Sequence, residues 1–422
     1  MRLPSLNLKI SSVLQTLVPL TVFASGFHTA HASEFQRPPQ FVLFAFDGSK
    51  SLPMWEETRE FARDMEKSGK PLRFTYFINA SYYLADTNKK TYDAPQNGKG
   101  KSAIGFGGTT SDILARYNQT NLAYSEGHEI ANHATGHYDG SKWSAEDWFS
   151  EFSQFYTLIF NIFAINKVSP TKSFPSGWAF SQNEVIGFRA PQLGHNKAMF
   201  TTLPTFDIKY DTSKTAAPNY WPEKNTQGVW NFPLGEILVA GTKKKTLSMD
   251  YNFYFMQSKG QPDPARAAAY EEQMYQSYVN YFQNNYNGNR APVNIGHHFS
   301  KWNNGAYWRA MKRMAQAVCG LPEVRCVTYR EFMNYMETVT APTLAALKKG
   351  QFKKSPAIQL VSAEEESRLL IQTASLPETS IESYLIADPP EAHADEDLHQ
   401  MPSKEVPGGL PHKYGPGEEF EI

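Results

Sequence analysis

The sequence predicts an α/β fold in which parallel strands alternate with helices and close into a barrel of seven or eight units. Between about residues 35 and 340, apolar runs of strand length alternate with helical patterns, as in strand–helix repeats. The run at 41–46 is apolar at every position, which is typical of a strand buried on both faces. In such a barrel the polar residues that follow the strands meet at one end, where chemistry is expected.

Periodicity, caps and helix breakers predict the elements in chain order. The apolar runs predict strands at 41–46, 73–78, 127–132, 184–189, 206–210, 229–239, 291–297 and 324–327. A helix is expected over 51–67, because Pro53 lies in its first turn, where the missing N–H costs nothing. Ser144 and Thr328 each precede an acidic residue by three positions, the capping-box pattern that begins a helix. The remaining helices are expected at 264–288 and from about 306.

Composition excludes several classes of protein. The chain has 41 Lys and Arg against 42 Asp and Glu, for a net charge of −1. No global basic charge therefore indicates a nucleic-acid partner. Hydrophobic residues make up 41% and aromatic residues 14% of the chain, enough for a sizeable core and too much for a chain that is disordered throughout.

The first 32 residues have the pattern of a signal peptide. Arg2 and Lys9 precede a mostly apolar run, and 30–32 is a small-x-small cleavage pattern, so cleavage is expected after Ala32. The alternative is a retained anchor helix, but Pro19 and polar residues interrupt the run, which falls short of the ~20 apolar residues that a span needs. The sequence therefore predicts an exported protein, periplasmic or secreted.

Cys319 and Cys326 are the only cysteines of the chain. Disulfides form and persist in the oxidising compartments that exported proteins enter. We therefore expect these two residues to form a local disulfide rather than part of a metal site.

The composition changes after about residue 340. Residues 341–422 contain fourteen acidic and seven basic residues and no tryptophan. Such a segment buries too little apolar surface to offset the entropy of ordering. The sequence predicts a catalytic domain over 38–340 and an acidic, largely disordered tail over 341–422.

Four strand ends carry side chains suited to metal-assisted hydrolysis. In that chemistry imidazoles hold a divalent ion that activates water, a carboxylate takes the proton of the water, and another imidazole protonates the leaving amine. Each side chain alone is a weak signal, and the order of all of them along one α/β chain is what supports the hypothesis. These residues are Asp47, the pair His133 and His137, Arg189, and the adjacent His297 and His298.

The same residues lie within five segments that follow one another in a fixed order. The segments are 43–48, 126–133 with His137, 187–191, 228–233 and the strand that contains 297–298. In this order they resemble the five motifs of the polysaccharide deacetylases of carbohydrate esterase family 4, and their layout is similar to the chitin-deacetylase-like branch. The resemblance covers about residues 38–340, and its second and third motifs are the most specific.

The resemblance implies a distorted (β/α) barrel that removes acetyl groups from N-acetylglucosamine units of a polysaccharide, using a bound zinc or similar divalent ion. It also implies a role for each matching residue. His133 and His137 would be metal ligands, Asp47 the base, Arg189 the residue that holds the base ionised, His297 or His298 the acid, Gln192 a backbone N–H donor to the oxyanion, and Trp230 a wall of the acetyl pocket.

Two adjacent histidines on a strand point to opposite faces, so only one of His297 and His298 can face the site. The spacing from Pro292 favours His298 as the acid. The alternation of inward-facing residues through Ile295 favours His297 instead. The sequence leaves both open.

One position departs from the family pattern. The first motif of the family carries two consecutive Asp, a base and a third metal ligand, whereas here Gly48 follows Asp47. Either Asp47 is the base and the ion lacks this carboxylate, or the register slips and Asp47 is the ligand. Asp139 or Asp211 is the nearest carboxylate in motif order that could complete the ligand set. Gln192 also replaces the usual aromatic residue.

The sequence therefore predicts an exported, metal-dependent N-deacetylase. A catalytically silent glycan-binding relative is the alternative from another class, and Gly48 is its best evidence. A hydrolase of the same fold that acts on an O-acetyl ester or a small cyclic amide is the third hypothesis. Peptidoglycan and chitin share the N-acetylglucosamine unit, so the sequence does not separate these two substrates.

Overall fold

The computed structural model describes residues 35–360 of the 422-residue chain. The predicted signal peptide and the predicted tail from residue 361 onward lie outside the described residues. Within 35–360, strands and helices alternate along the chain as the sequence predicts. None of the helices in this range is long and apolar enough to cross a membrane.

The strands range from two to eight residues in length. They are β1 (Gln40–Asp47), β2 (Phe74–Ile78), β3 (Asp93–Ala94), β4 (Gly98–Lys99), β5 (Glu129–Asn132), β6 (Gly187–Phe188), β7 (Tyr210–Asp211), β8 (Thr215–Ala216), β9 (Glu223–Lys224), β10 (Trp230–Asn231), β11 (Leu234–Leu238), β12 (Lys245–Leu247), β13 (Val293–His298) and β14 (Val324–Cys326).

The α-helices connect these strands, together with several short 3₁₀ turns. They are α1 (Leu52–Lys67), α2 (Thr110–Ser125), α3 (Ala145–Phe160), α4 (Ile162–Asn166), α5 (Lys197–Thr202), α6 (Asp250–Ser258), α7 (Ala267–Asn287), α8 (Trp302–Val318), α9 (Tyr329–Thr338) and α10 (Ala341–Lys348).

The main sheet is a curled half-barrel. Its strands follow the order β13-β1-β2-β5-β6-β7-β10-β9, with β14 paired to the start of β1. All these pairs are parallel except β10 with β9. The structure thus confirms the predicted distorted (β/α) barrel.

Within residues 35–360 the main sheet is a half-barrel, which corrects the expectation of a closed barrel. The predicted strand at 229–239 is broken at Pro233, which has no N–H to donate, so that β10 and β11 belong to different sheets. The second sheet, β12-β11-β8, contacts the other edge of the main sheet, where the Gly296 N–H donates to the Ser248 carbonyl at 3.0 Å.

Alternate residues of β1 face two different parts of the core. Val42, Phe44 and Phe46 pack in one apolar cluster with residues of the surrounding helices. Phe41, Leu43 and Ala45 pack in another. Because strand residues alternate between faces, Asp47 at the end of β1 lies on the same face as Ala45.

Side-chain caps are present at three helix starts, and two of them are the predicted capping boxes. The Ser51 hydroxyl accepts from the N–H of Met54 at 3.4 Å, at the start of α1. Reciprocal capping boxes begin α3 at Ser144 and α9 at Thr328. These bonds satisfy N–H groups that lack partners within the helix.

The predicted disulfide is present. Cys319, just after α8, is bonded to Cys326 at the end of β14. The bridge ties the last long helix to the strand that pairs with β1.

The packed part of the chain extends beyond residue 340, where the tail was predicted to begin. Leu347 on α10 is fully buried, and Phe352 is 5% exposed and forms a bridge with Phe35. Both side chains belong to the cluster that contains Phe41. The predicted tail boundary is therefore wrong for residues 341–352, because two large apolar side chains in this segment complete the core.

We expect a chain that ends at residue 340 to lose about 3–6 kcal/mol of unfolding free energy, since each large apolar side chain contributes about 1.5–3 kcal/mol on burial. A chain that ends at residue 360 is the matched control, because it keeps Leu347 and Phe352. Urea unfolding of both proteins measures the difference. Equal unfolding free energies would show that α10 adds nothing to the core.

Candidate active site

A buried ion pair lies at the carboxyl end of the half-barrel. Arg189, just after β6, donates from Nη1 to Oδ1 of Asp47 at 2.7 Å, and both side chains are 0% exposed. The guanidinium also donates from Nε to the hydroxyl of Thr212 at 2.5 Å and from Nη2 to the hydroxyl of Tyr329 at 3.3 Å. It lies 4.5 Å above the ring of Phe77. A fixed cation at this distance favours the ionised form of the carboxylate.

Arg189 also orients the first of the two spaced histidines. The Nδ1 atom of His133 lies 2.8 Å from the carbonyl oxygen of Arg189. A carbonyl oxygen can only accept, so Nδ1 carries the proton and Nε2 of the neutral ring carries the lone pair. A hydrogen bond of this kind is what orients a histidine that binds a metal ion.

The second histidine of the pair lies beside the first. His137 is 1% exposed, and its ring centroid lies 5.1 Å from that of His133. The backbone of His137 is left-handed, with φ 58°, and so is that of Ala134, with φ 59°. The loop between the two histidines thus holds a conformation that non-glycine residues rarely adopt.

A histidine–carboxylate pair lies on the strand next to Asp47. His298 is the register partner of Asp47 in the pairing of β13 with β1. Its Nδ1 atom donates to Oδ1 of Asp250 at 2.6 Å, and its backbone N–H donates to Oδ2 at 2.8 Å. Because the ring donates through Nδ1, its Nε2 atom is the one available for proton transfer.

His297 faces the opposite side of β13, toward α7. It is the register partner of Phe46, and its Nε2 atom lies 3.3 Å from the hydroxyl of Tyr278. Burial lowers the pKa of His297 to about 4, so that it is neutral at neutral pH. Of the two histidines that the sequence leaves open, His298 is therefore the one on the face of Asp47.

Within the described part of the chain, the structure does not group a carboxylate with the two histidines as a third ligand. Asp211 accepts from the N–H and hydroxyl of Ser213 at 3.0 and 2.6 Å, and burial raises its pKa. Asp139 is exposed and accepts from the N–H of Ser141. Within residues 35–360, no three His, Cys, Asp or Glu side chains form a group that could hold a metal ion.

The two imidazoles nevertheless suit a divalent ion as part of its ligand set. Neutral imidazole nitrogens are ligands that zinc and similar ions take, and the tautomer of His133 directs a lone pair away from the Arg189 carbonyl. The position of Gly48, next to Asp47, supplies no ligand. The protein ligands that fit an ion here are His133 and His137.

Gln192 lies beside the histidine pair. Its Nε2 atom donates to the carbonyl oxygen of His137 at 3.3 Å. Gln192 and Leu193 are both left-handed, with φ 56° and 52°. This turn follows Pro191 directly and brings a half-exposed amide side chain to the edge of the buried site.

Trp230 makes its contacts with α9 and neighbouring strands, and its role as a wall of the acetyl pocket stays a prediction. Its indole N–H donates to Oε1 of Glu337 on α9 at 2.7 Å, and Lys224 lies 5.1 Å from its ring. Its ring stacks on that of Phe232, which also stacks on Tyr329. Trp230 is 7% exposed, so that these neighbours leave little of its ring for a ligand.

Sequence analysis missed Asp250, the partner of His298. The residue begins α6 directly after the buried Ser248 and Met249. This strand-to-helix junction with an acidic residue is the same local pattern that singled out Asp47. The signal is therefore present in the sequence, but the segment lies outside the five ordered motifs.

Gly48 adopts a left-handed backbone, with φ 79°. We expect a Gly48→Asp variant to bind Zn²⁺ more tightly than the parent protein, because it adds an anionic oxygen ligand, but to unfold more easily, because a side chain at this φ costs about 1 kcal/mol or more. Gly69, also left-handed and with open space around it, provides a control in Gly69→Asp, which shares the strain without the ligand. Competition with a chelator measures Zn²⁺ affinity. Equal affinity in the parent protein and Gly48→Asp would contradict the expectation.

No protein-family model matches the chain. No curated protein matches it either.

Solved structures are similar to the chain at low sequence identity. A provisionally assigned polysaccharide deacetylase from Mycobacterium smegmatis is 13% identical, with a TM-score of 0.41, over 72% of this chain and 94% of that chain. The Xyl-CE4 domain of a multidomain xylanase from the hindgut metagenome of Trinervitermes trinervoides is 12% identical, with a TM-score of 0.37, over 71% and 92%.

A third similar structure is a pseudoenzyme of carbohydrate esterase family 4 from Bacillus anthracis. It is 8% identical, with a TM-score of 0.34, over 66% of this chain and 61% of that chain. Two of the three similar structures are thus named as members of carbohydrate esterase family 4, the family that the ordered motifs of this chain resemble.

Proposed function

We propose that this chain is an exported hydrolase that removes acetyl groups from N-acetylglucosamine units of a polysaccharide. One observation carries the proposal: an arginine-bound carboxylate, Asp47, and a carboxylate-bound imidazole, His298, are register partners on adjacent strands. The first group is suited to accept a proton and the second to donate one. Amide hydrolysis needs both at the same carbonyl.

Asp47 takes the role of the base in this proposal. Its carboxylate removes a proton from the attacking water, whose oxygen forms a bond to the acetyl carbon. Arg189 holds the carboxylate ionised and fixed before the reaction, so no rearrangement is needed when the proton moves. The hydroxyl groups of Thr212 and Tyr329 hold the guanidinium in turn.

His298 takes the role of the acid. As the carbon–nitrogen bond breaks, its Nε2 atom gives a proton to the amine nitrogen of the sugar, and acetate is the other product. Asp250 holds the ring through Nδ1 and stabilises its protonated form. This arrangement keeps Nε2 as the atom that exchanges protons.

His133 and His137 would hold the divalent ion, with zinc as the first choice for an imidazole donor set. When bound, such an ion polarises the acetyl carbonyl and lowers the pKa of water. The backbone N–H of Gln192 follows Pro191 beside His137 and would donate to the oxyanion. Every other step of the proposal relies on groups of the protein itself.

The presence of Gly48 favours a second candidate function, that of a glycan-binding protein without catalytic activity. In residues 35–360, no Asp, Glu, Cys or further His side chain forms a group of three with the two imidazoles. An ion held this weakly would leave the site inactive. Acid and base groups that are both buried and oriented favour the enzyme.

Acetate release from chitin oligomers and from peptidoglycan, measured with and without added Zn²⁺, tests the proposal. We expect release from at least one of the two polymers, and comparison of their rates identifies the substrate. Release from an O-acetylated xylan alone would reassign the reaction to an ester. Binding of either polymer without acetate release would favour the glycan-binding protein.

The proposal places the protein outside the cytoplasm, in the periplasm or secreted. The signal-peptide pattern and the two cysteines support this location. Peptidoglycan is present there, which favours it as the substrate, whereas the branch that the motifs resemble favours chitin. Fractionation of cells that express the full chain tests the location.

A further inference from the structure

The loop between His133 and His137 is held by a buried carboxylate on α3. Glu151 is 0% exposed. Its Oε1 atom accepts from the backbone N–H of Thr135 at 2.8 Å and from that of Gly136 at 3.0 Å. Its Oε2 atom accepts from the hydroxyl of Tyr92 at 2.7 Å. One carboxylate thus binds the two central residues of the loop at once.

The loop is packed closely around this carboxylate. A Cβ atom at Gly136 would lie 2.4 Å from the hydroxyl oxygen of Tyr92. The carbonyl of Gly136 accepts from the N–H of Ala103 at 2.8 Å, and that of Thr135 from the N–H of Ser81 at 3.3 Å. Glu151 is the one carboxylate among these partners, and burial raises its pKa.

The loop needs such support because its backbone is unusual. Ala134 and His137, on either side of Thr135 and Gly136, are both left-handed, a conformation that costs a non-glycine residue about 1 kcal/mol or more. Charge-assisted hydrogen bonds to backbone N–H groups are stronger than neutral ones. Glu151 therefore offsets the cost of the conformation that brings the two imidazoles together.

The charge of Glu151 has a second consequence. Within residues 35–360, no Lys or Arg forms an ion pair with Glu151, whereas Asp47, another buried carboxylate of the site, is paired with Arg189. Burial makes an uncompensated charge costly, and a bound cation nearby reduces that cost. Glu151 lies one hydrogen bond from the residue that precedes His137.

We propose that Glu151 is the positioning residue of the His133–His137 ion site and that its buried negative charge strengthens binding of a divalent cation there. The inference rests on one part of the proposed function, namely that His133 and His137 hold the ion. In this proposal the negative charge near the ion comes from Glu151 on α3, whereas Gly48, after β1, supplies none.

The test compares Zn²⁺ affinity in Glu151→Gln with that in the parent protein. The variant keeps the shape of the side chain but removes its charge. Only one of its two terminal atoms, the amide oxygen, can accept a hydrogen bond. We expect Zn²⁺ affinity to fall about 10–100-fold, the usual effect of losing a group that orients a metal ligand. Affinity within twofold of the parent value would overturn the proposal.

Glu129→Gln is the matched control. Glu129 is also buried, at 3% exposed, and also accepts from a backbone N–H, that of Arg330 at 2.9 Å. It supports the start of α9 rather than the histidine loop. We expect this variant to lose stability but to keep the Zn²⁺ affinity of the parent protein. An equal loss of affinity in both variants would show a general effect of buried charge and overturn the proposal.

Amide hydrogen exchange of the peptide that spans 133–137 gives a readout that needs no ion. We expect faster exchange at Thr135 and Gly136 in Glu151→Gln, because their acceptor is changed. If that variant does not fold, Glu151→Asp carries the test, since its shorter side chain keeps the charge but cannot reach both amides. Unchanged exchange in the folded variant would overturn the positioning role.

The outcomes separate this inference from the proposed function. Loss of Zn²⁺ affinity in Glu151→Gln, in a parent protein that releases no acetate, would support the inference and contradict the function. A parent protein that releases acetate but binds no divalent ion would overturn the ion-binding role of Glu151 and leave the hydrolase in place.

Discussion

Replacing Asp47 with asparagine is expected to lower kcat on an N-acetylglucosamine polymer by about 10²–10⁴, the usual contribution of a general base. The amide cannot take a proton from water, and it leaves the guanidinium of Arg189 buried without its carboxylate. Zn²⁺ content is expected to stay at the parent level, because His133 and His137 are unchanged. Acetate release and metal analysis on the same preparation measure both quantities.

The same variant is expected to be less stable. Removal of one partner from a buried ion pair costs about 3–5 kcal/mol, so acetate release must be measured below the melting temperature and corrected for the folded fraction. Asp64→Asn is the control, because Asp64 forms an exposed ion pair with Lys67 on α1 and such pairs contribute about 0–1 kcal/mol. Loss of Zn²⁺ from Asp47→Asn would show that Asp47 is a ligand and that the register of the first motif slips.

Replacing His133 or His137 with alanine is expected to abolish both Zn²⁺ binding and acetate release. These are the two imidazoles that the structure places side by side at the end of the half-barrel, and one remaining ring cannot hold an ion against water. His133→Ala also removes the hydrogen bond to the Arg189 carbonyl. Metal analysis after dialysis and the acetate assay check the expectation.

His195→Ala is the control for the histidine variants. His195 is half-buried after the Pro191 turn, and its Nδ1 atom bonds to the Leu193 carbonyl, so it lies near the site without belonging to the pair. We expect this variant to retain Zn²⁺. One equivalent of Zn²⁺ in the double variant of His133 and His137 would mean that the ion binds elsewhere in the chain.

Much of the fold was predictable because its determinants are local. The apolar run of β1, the capping boxes of α3 and α9 and the spacing of the two cysteines depend on neighbouring residues, and all of them are present in the structure. The order of the strand ends also predicted that Asp47 and Arg189 would meet, since parallel strands end at the same edge of a sheet.

Features that depend on contacts distant in sequence were not predictable in this way. The sequence shows that His297 and His298 face opposite sides of a strand, but which one shares the face of Asp47 depends on the register between β13 and β1. Asp250 and Glu151 acquire their roles from partners 48 and 15 or 16 residues away. Composition placed α10 in the tail, whereas Leu347 joins a core cluster that also contains residues of β1, far away in the sequence. The local sequence pattern thus determines the strands and helices and the side chains at their ends. Strand register and long-range packing determine which of those side chains come into contact.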